Sequence, residues 1–144
     1  MLKWLWLSLV VIVLDQATKI VIFFNMAEDA GFEVLSFFNI VHVQNPGAAF
    51  SFLSTAGGWQ RWLFAVLAIG ISVFIVHWIK KLKDNEKYTA LGLSLVLGGA
   101  LGNLIDRVYL GKVIDFLDFH IGPNHWPAFN VADIAISIGV VALI

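Results

Sequence analysis

Tyr88 to Leu110 reads YTALGLSLVLGGALGNLIDRVYL, an apolar run long enough to cross a hydrocarbon core about 30 Å thick as one helix, yet it carries Asn103, Asp106 and Arg107 near its far end. Charged side chains inside a spanning helix cost a few kcal/mol or more, so they face the protein interior and mark function. Three further runs share this apolar character, from about Trp4 to Phe24, from Trp62 to Ile79, and from Asn130 to Ile144. The composition agrees: of 144 residues 60% are hydrophobic and 13% charged, with a mean hydropathy of +0.87, a balance foreign to water-soluble domains. The sequence therefore reads as an all-α membrane protein, one integral-membrane domain over residues 1–144 with four transmembrane helices at about 4–24, 62–79, 88–110 and 130–144. The fourth run is still apolar at Ile144, short of the roughly 20 residues a crossing takes, so the natural protein is expected to continue into a basic tail.

Lys3 before an apolar run is how a secretory signal begins, but Asp15 and Lys19 interrupt the run and no small-residue cleavage site follows, so it reads as a retained helix. The connection from Lys80 to Lys87 holds four lysines (Lys80, Lys81, Lys83, Lys87) and, with Lys3, places the amino terminus and this loop in the cytoplasm by the positive-inside rule. The two long connections, at about 25–61 and 111–129, then lie outside. Within the first, Ile40 to Gln44 alternates as a half-buried strand does, so a small sheet at the membrane surface is expected, ended by the turn at Asn45-Pro46-Gly47. A net charge of −1 argues against nucleic acid as a partner. With no cysteine, thiolate nucleophiles, disulfides and cysteine-ligated metals are excluded.

Polar residues recur on single helical faces. Asp15, Thr18 and Lys19 stand at i, i+3 and i+4; Asn103, Asp106 and Arg107 repeat the spacing; Asn130, Asp133 and Ser137 stand at i, i+3 and i+7. At 1.5 Å of rise per residue, Asp15 lies roughly 17 Å and Asn103 roughly 23 Å above the inner ends of their helices, while Asp133 lies near the outer end of a descending one. The three clusters thus meet in the outer half of the bilayer, near Asp115 and Asp118. Gly98 and Gly102 form a small-xxx-small spacing whose simplest role is close helix packing. Asp15 with Lys19 reads equally as an internal ion pair or as part of a site.

Nucleophile chemistries leave few traces. There is no Gly-x-Ser-x-Gly turn and no His-Glu-x-x-His helix. Of the four histidines, only His120 and His125 with Asp118 could share a metal, and exposed loop residues of this kind are more often solvated; no metal and no cofactor is expected. A Ser51–Lys19 dyad is conceivable, but nothing brings the two together. Carboxylates remain: two held close cannot both ionise, so the pair acts at once as base and acid, which suffices to hydrolyse a peptide with water. By depth Asp15, Asp106, Asp115, Asp118 and Asp133 all qualify. The same intramembrane charges would also serve a proton-coupled membrane transporter, the alternative reading.

Five blocks narrow the choice: Asp15-Gln16-Ala17-Thr18-Lys19, Asn45-Pro46-Gly47-Ala48-Ala49-Phe50, Gly98 to Arg107, Val113-Ile114-Asp115-Phe116, and Phe129-Asn130-Val131-Ala132-Asp133. Together, in this order along the whole chain, they closely resemble the bacterial lipoprotein signal peptidases, also called signal peptidase II. The resemblance implies a membrane aspartic peptidase with a small extracytoplasmic β-cradle and a short surface helix, in the bacterial inner membrane with its active site near the outer face. It implies Asp115 and Asp133 as the catalytic pair, and Asp15, Lys19, Asn45, Gly47, Gly99, Asn103, Asp106, Arg107 and Asn130 as residues that bind substrate or support the pair. Asp118 then reads as solvated or supporting. The implied partners are a diacylglyceryl-modified prolipoprotein cut just before its lipidated cysteine, membrane lipids and globomycin-type inhibitors; the protein itself is expected to be a monomer.

Overall fold

The computed structural model describes residues 1–47 and 58–144. Among the described residues a 3-10 turn at Leu2–Trp4 leads into four α-helices and four strands in the order α1 (Leu5–Asn25), β1 (Gly31–Leu35), β2 (Phe38–Asn45), α2 (Gln60–Lys81), α3 (Lys87–Tyr109), β3 (Val113–Ile121), β4 (Asn124–His125) and α4 (Val131–Leu143). By length and hydropathy α1, α2 and α3 qualify as membrane spans, and α4 is a shorter helix of equally apolar character. Their outer faces carry apolar side chains in the open, Val13, Val66 and Val141 among them, as helices bathed in hydrocarbon do.

α3 is the central helix, packed against α1, α2 and α4. At one end of the bundle Ile75, Ile79, Leu93 and Leu97 form a closed apolar core. Between α3 and α4 the approach is closer than side chains permit: a Cβ on Gly139 would lie 2.6 Å from the Gly92 carbonyl oxygen, and one on Gly92 2.8 Å from that of Gly139. Gly98 does the same for α1, where a Cβ would meet Val11 at 2.7 Å. Small residues at helix contacts let backbones gain the dispersion contacts that drive association in lipid, where apolar transfer contributes nothing between helices.

The strands form one antiparallel sheet in the order β1-β2-β3-β4, at the end of the bundle opposite that apolar core. Ile114 and Phe116 of β3 pack on Ile22 of α1, which anchors the sheet to the helices. β2 pairs with β3 with Val43 opposite Asp115, and the register shifts between Ile40 and Val43, a bulge of the kind that re-aims side chains beside functional sites. Phe119 stacks on Phe38 at 4.6 Å and on Phe129 at 5.8 Å, bracing the outer half of the pair. The expected strand at Ile40 to Gln44 lies inside the longer β2. No helix occurs among the described residues of the two long connections, so the short surface helix that the resemblance implies is not found there.

Gly139→Val should cost about 1–3 kcal/mol by forcing α3 and α4 apart. Thermal unfolding in detergent micelles, with Val140→Ala on the exposed face as a neutral control, measures it.

Candidate active site

The buried polar residues gather where α1, α3, α4 and the sheet meet. At the centre is Lys19, 1% exposed, whose ammonium has three protons and three acceptors: Asp15 Oδ2 at 2.8 Å, Asp106 Oδ2 at 2.9 Å and Asn103 Oδ1 at 2.9 Å. Each of these partners also holds a neighbouring element, α4 or β3. Asp15 Oδ1 accepts the backbone amide of Ala132 at 2.9 Å, satisfying an otherwise unpaired donor in the first turn of α4. Asp106 Oδ2 accepts the amide of Ile114 at 3.0 Å and so fixes β3 beside Asp115. Asn103 Nδ2 donates to Asp133 Oδ1 at 3.1 Å.

Asp133 is held from a second side by a capping box. Asn130 Oδ1 accepts the Asp133 amide at 3.0 Å, and Asp133 Oδ2 accepts the Asn130 amide at 3.3 Å. The Asn130 side-chain nitrogen meanwhile donates to Asp115 Oδ1 at 2.9 Å. One fully buried asparagine therefore touches both carboxyl residues, and its own position is set by Asn103 Oδ1 at 3.2 Å and the Ile114 carbonyl at 3.1 Å. Asn45, at the end of β2, reaches Asp115 Oδ2 at 3.4 Å while its Oδ1 accepts the Gly47 amide at 2.9 Å. Arg107 donates to the Gly47 carbonyl at 3.3 Å, its guanidinium also lying 5.2 Å from the Phe64 ring. Arg61, from the start of α2, donates to the carbonyl oxygens of Arg107 and Val108 and closes the end of α3.

Burial pushes the Asp115 carboxyl up to about 7, the negative charge of Asp133 adds to the rise, and the hydrogen bonds from Asn45 and Asn130 and the charge of Lys19 oppose it. Near neutral pH Asp115 thus divides its time between acid and base.

All eleven residues named from the sequence are brought together here except Gly99, which acts one step removed. A Cβ on Gly99 would strike the Ala132 carbonyl and Ile136, so its bareness lets α4 approach α3 just below Asp133. Gln16 was quoted in its motif without a role. Its Nε2 reaches Asp106 Oδ1 and the Gly102 carbonyl, each at 3.0 Å, and Asp15 Oδ2 at 3.3 Å. The signal available was an amide next to Asp15 inside an apolar helix. Asp118 is not solvated as one of its two readings held: it accepts from Asn39 at 3.1 Å and pairs with His125 at 2.9 Å, and although burial pushes its carboxyl upward, the bonds from His125 and Asn39 win and leave it below the ordinary range. It ties β2, β3 and β4 together. His120 stacks on His125 at 4.7 Å. Lys19 is fully engaged by its three partners, and Ser51, Ala48, Ala49 and Phe50 lie outside the described residues.

Apolar helices closing around converging carboxyl side chains define a polytopic membrane protein of the aspartic peptidase class. The family model described as signal peptidase (SPase) II matches residues 7–144. The lipoprotein signal peptidase of Aeromonas hydrophila is 49% identical over 144 residues, covering 99% of this chain and 86% of that protein, and that of Burkholderia thailandensis is 52% identical over 141 residues, covering 98% and 84%. Two bacterial membrane enzymes solved by the in meso method are each 34% identical, with TM-scores of 0.88 and 0.84; both cover 98% of this chain, and 84% and 89% of their own chains. The chain belongs to the signal peptidase II family.

Lys19→Met should leave Asp15 and Asp106 facing each other without a cation, at a cost of about 3–5 kcal/mol in unfolding experiments. Because the folded Asp115 holds its proton to about 7 against an ordinary 3.8, its contribution to stability is full below 3.8 and is lost as pH rises through 7. Asp115→Asn should therefore melt above the parent protein near pH 8, and the difference should vanish by about pH 4.

Proposed function

We propose that this protein is a membrane aspartic endopeptidase that removes the signal peptide from diacylglyceryl-modified prolipoproteins, cutting just before the lipidated cysteine, with Asp115 and Asp133 as its catalytic pair. The observation that carries the reading is the asparagine bracket: Asn130 holds both residues at once, with Asn103 and Asn45 behind them. A water between the two carboxyl groups gives its proton to whichever is ionised as its oxygen bonds the scissile carbonyl carbon, while the other protonates the carbonyl oxygen; the first then passes its proton to the nitrogen as the C–N bond breaks, and the second takes back a hydroxyl proton as the new carboxyl group forms. An Asp115 that titrates near neutrality is suited to both halves of that cycle. Asn45, Gly47 and Arg107 present amide and guanidinium groups on the sheet side, where an extended peptide backbone would find donors and acceptors. The names of the relatives, lipoprotein signal peptidases, support the substrate class.

The topology proposed with it is a monomer forming a single domain with four crossings, α4 being the fourth, both termini cytoplasmic, and the sheet resting on the outer surface of the bacterial inner membrane. The lysines of the α2–α3 connection support this orientation. A substrate that is itself a lipid-anchored helix needs its scissile bond met at the outer boundary, and the site lies at the sheet end of the bundle. A proton-coupled transporter needs ionisable groups strung across the whole depth. Here the buried charges among the described residues collect at one end, and the relatives are peptidases.

Asp133→Asn and Asp115→Asn should each lower cleavage of a diacylglyceryl-modified precursor by at least about 10²-fold, read by mass measurement of the products, and globomycin should block the parent enzyme. Asp118→Asn should keep most of the turnover. Undiminished cleavage by Asp133→Asn defeats the assignment.

A further inference from the structure

The geometry points to a seat for one acyl chain of the substrate in the groove that runs from Asp133 along the lipid-facing side of α4. This inference rests on the peptidase reading above. The groove encloses about 520 Å³, within the range of small-molecule sites, and its walls are Trp126 and Phe129 at the mouth and Ile134, Ser137 and Ile138 below Asp133. Ile134, Ile138 and Val141 follow at i, i+4 and i+7, all exposed and apolar, so the groove's wall continues as one stripe away from the carboxyl group.

Chemistry favours an acyl chain as the occupant. The diacylglyceryl group hangs from the sulfur of the residue just after the scissile bond, so wherever that bond is hydrolysed its acyl chains begin a few bonds away. Only a channel that starts at the reacting carboxylates and stays in hydrocarbon can take such a chain without lifting it into water. The α4 groove starts at Asp133 itself. A second groove of about 330 Å³ lies between α1 and α3, lined by Ile20, Phe23, Phe24, Tyr109 and Leu110. It is equally apolar but ends on Lys19 and Asp106, which are locked in the ion cluster, so a chain lying there would be walled off from Asp115 and Asp133. Trp126, 62% exposed, stands at the mouth of the α4 groove, and indole rings favour the level where headgroup gives way to hydrocarbon.

The test uses the full chain in nanodiscs and a precursor whose acyl chains carry a diazirine near the terminal methyl. With Asp115→Asn holding the precursor uncut, light should attach the label to the α4 segment 134–143. Label concentrated on Ile20 to Phe24 and Tyr109, or a pattern matching that of a free diacylglycerol with the same probe, overturns the assignment, the latter meaning ordinary boundary lipid. In the otherwise unaltered enzyme, Ile138→Trp should raise KM about tenfold for long-chain precursors with little change in kcat, and by less than about twofold for short-chain ones. Equal losses at both lengths also overturn it, pointing to the signal helix as occupant or to a damaged fold. If the unmodified enzyme releases no signal peptide from any precursor, the peptidase reading itself fails; if it cleaves while the label lands elsewhere, only the groove assignment does.

Discussion

A single ammonium organises this molecule. Lys19 sits where water cannot reach it, and desolvating an unpaired charge there would cost far more than the stability of a domain of this size. Its three protons are all spent, on Asp15, Asp106 and Asn103, and those three acceptors in turn hold the first turn of α4, the start of β3 and the carboxyl group of Asp133. α1, α3, α4 and the sheet are therefore referenced to one point. The arrangement keeps two acidic residues from different elements in a fixed relation without either of them touching the lysine.

That separation has a chemical consequence. Had Asp115 bonded Lys19 directly, the ammonium would favour its charged form far more strongly. Instead neutral amides contact it, from Asn130 and Asn45, and the lysine is felt only at a distance. Burial then dominates and carries its carboxyl to about 7, where exchanging a proton costs little. The charges that pin the scaffold and the acids suited to chemistry are distinct sets, joined by asparagines that hold without neutralising. Asp118 shows the contrary case: bonded to His125 and Asn39 on the sheet, its carboxyl is held below the ordinary range and its bonds fasten strands.

Much of this was legible beforehand. The four apolar runs lie close to the observed helices, because lipid forces every spanning backbone to satisfy its own hydrogen bonds and hydropathy alone then reveals the helices. The polar triplets at i, i+3 and i+4 told which faces turn inward, since an ionisable group has nowhere else to go. The sheet was harder. Ile40 to Gln44 alternates and was visible, but Val113 to Ile121 sets Asp115, Asp118 and His120 among apolar residues off any strict alternation and is buried on both faces over its first four residues, and β1 is exposed on both faces, so neither shows the period-two pattern that marks a strand. Gln16 was hidden for a different reason: a single amide beside a charge has no periodicity to betray its partners.

The sequence by itself determined the membrane setting, the helices, the helical faces on which polar groups collect and, through the resemblance of five motifs, the family. Spacing left five aspartates equally eligible. Only the tertiary structure separated them by partner: Asp15 and Asp106 bound to Lys19, Asp118 to His125, and Asp115 and Asp133 bracketed by Asn130. The reason is physical. Helical periodicity says which residues share a face, but which acid meets a cation and which meets a neutral amide depends on contacts between elements distant in the chain.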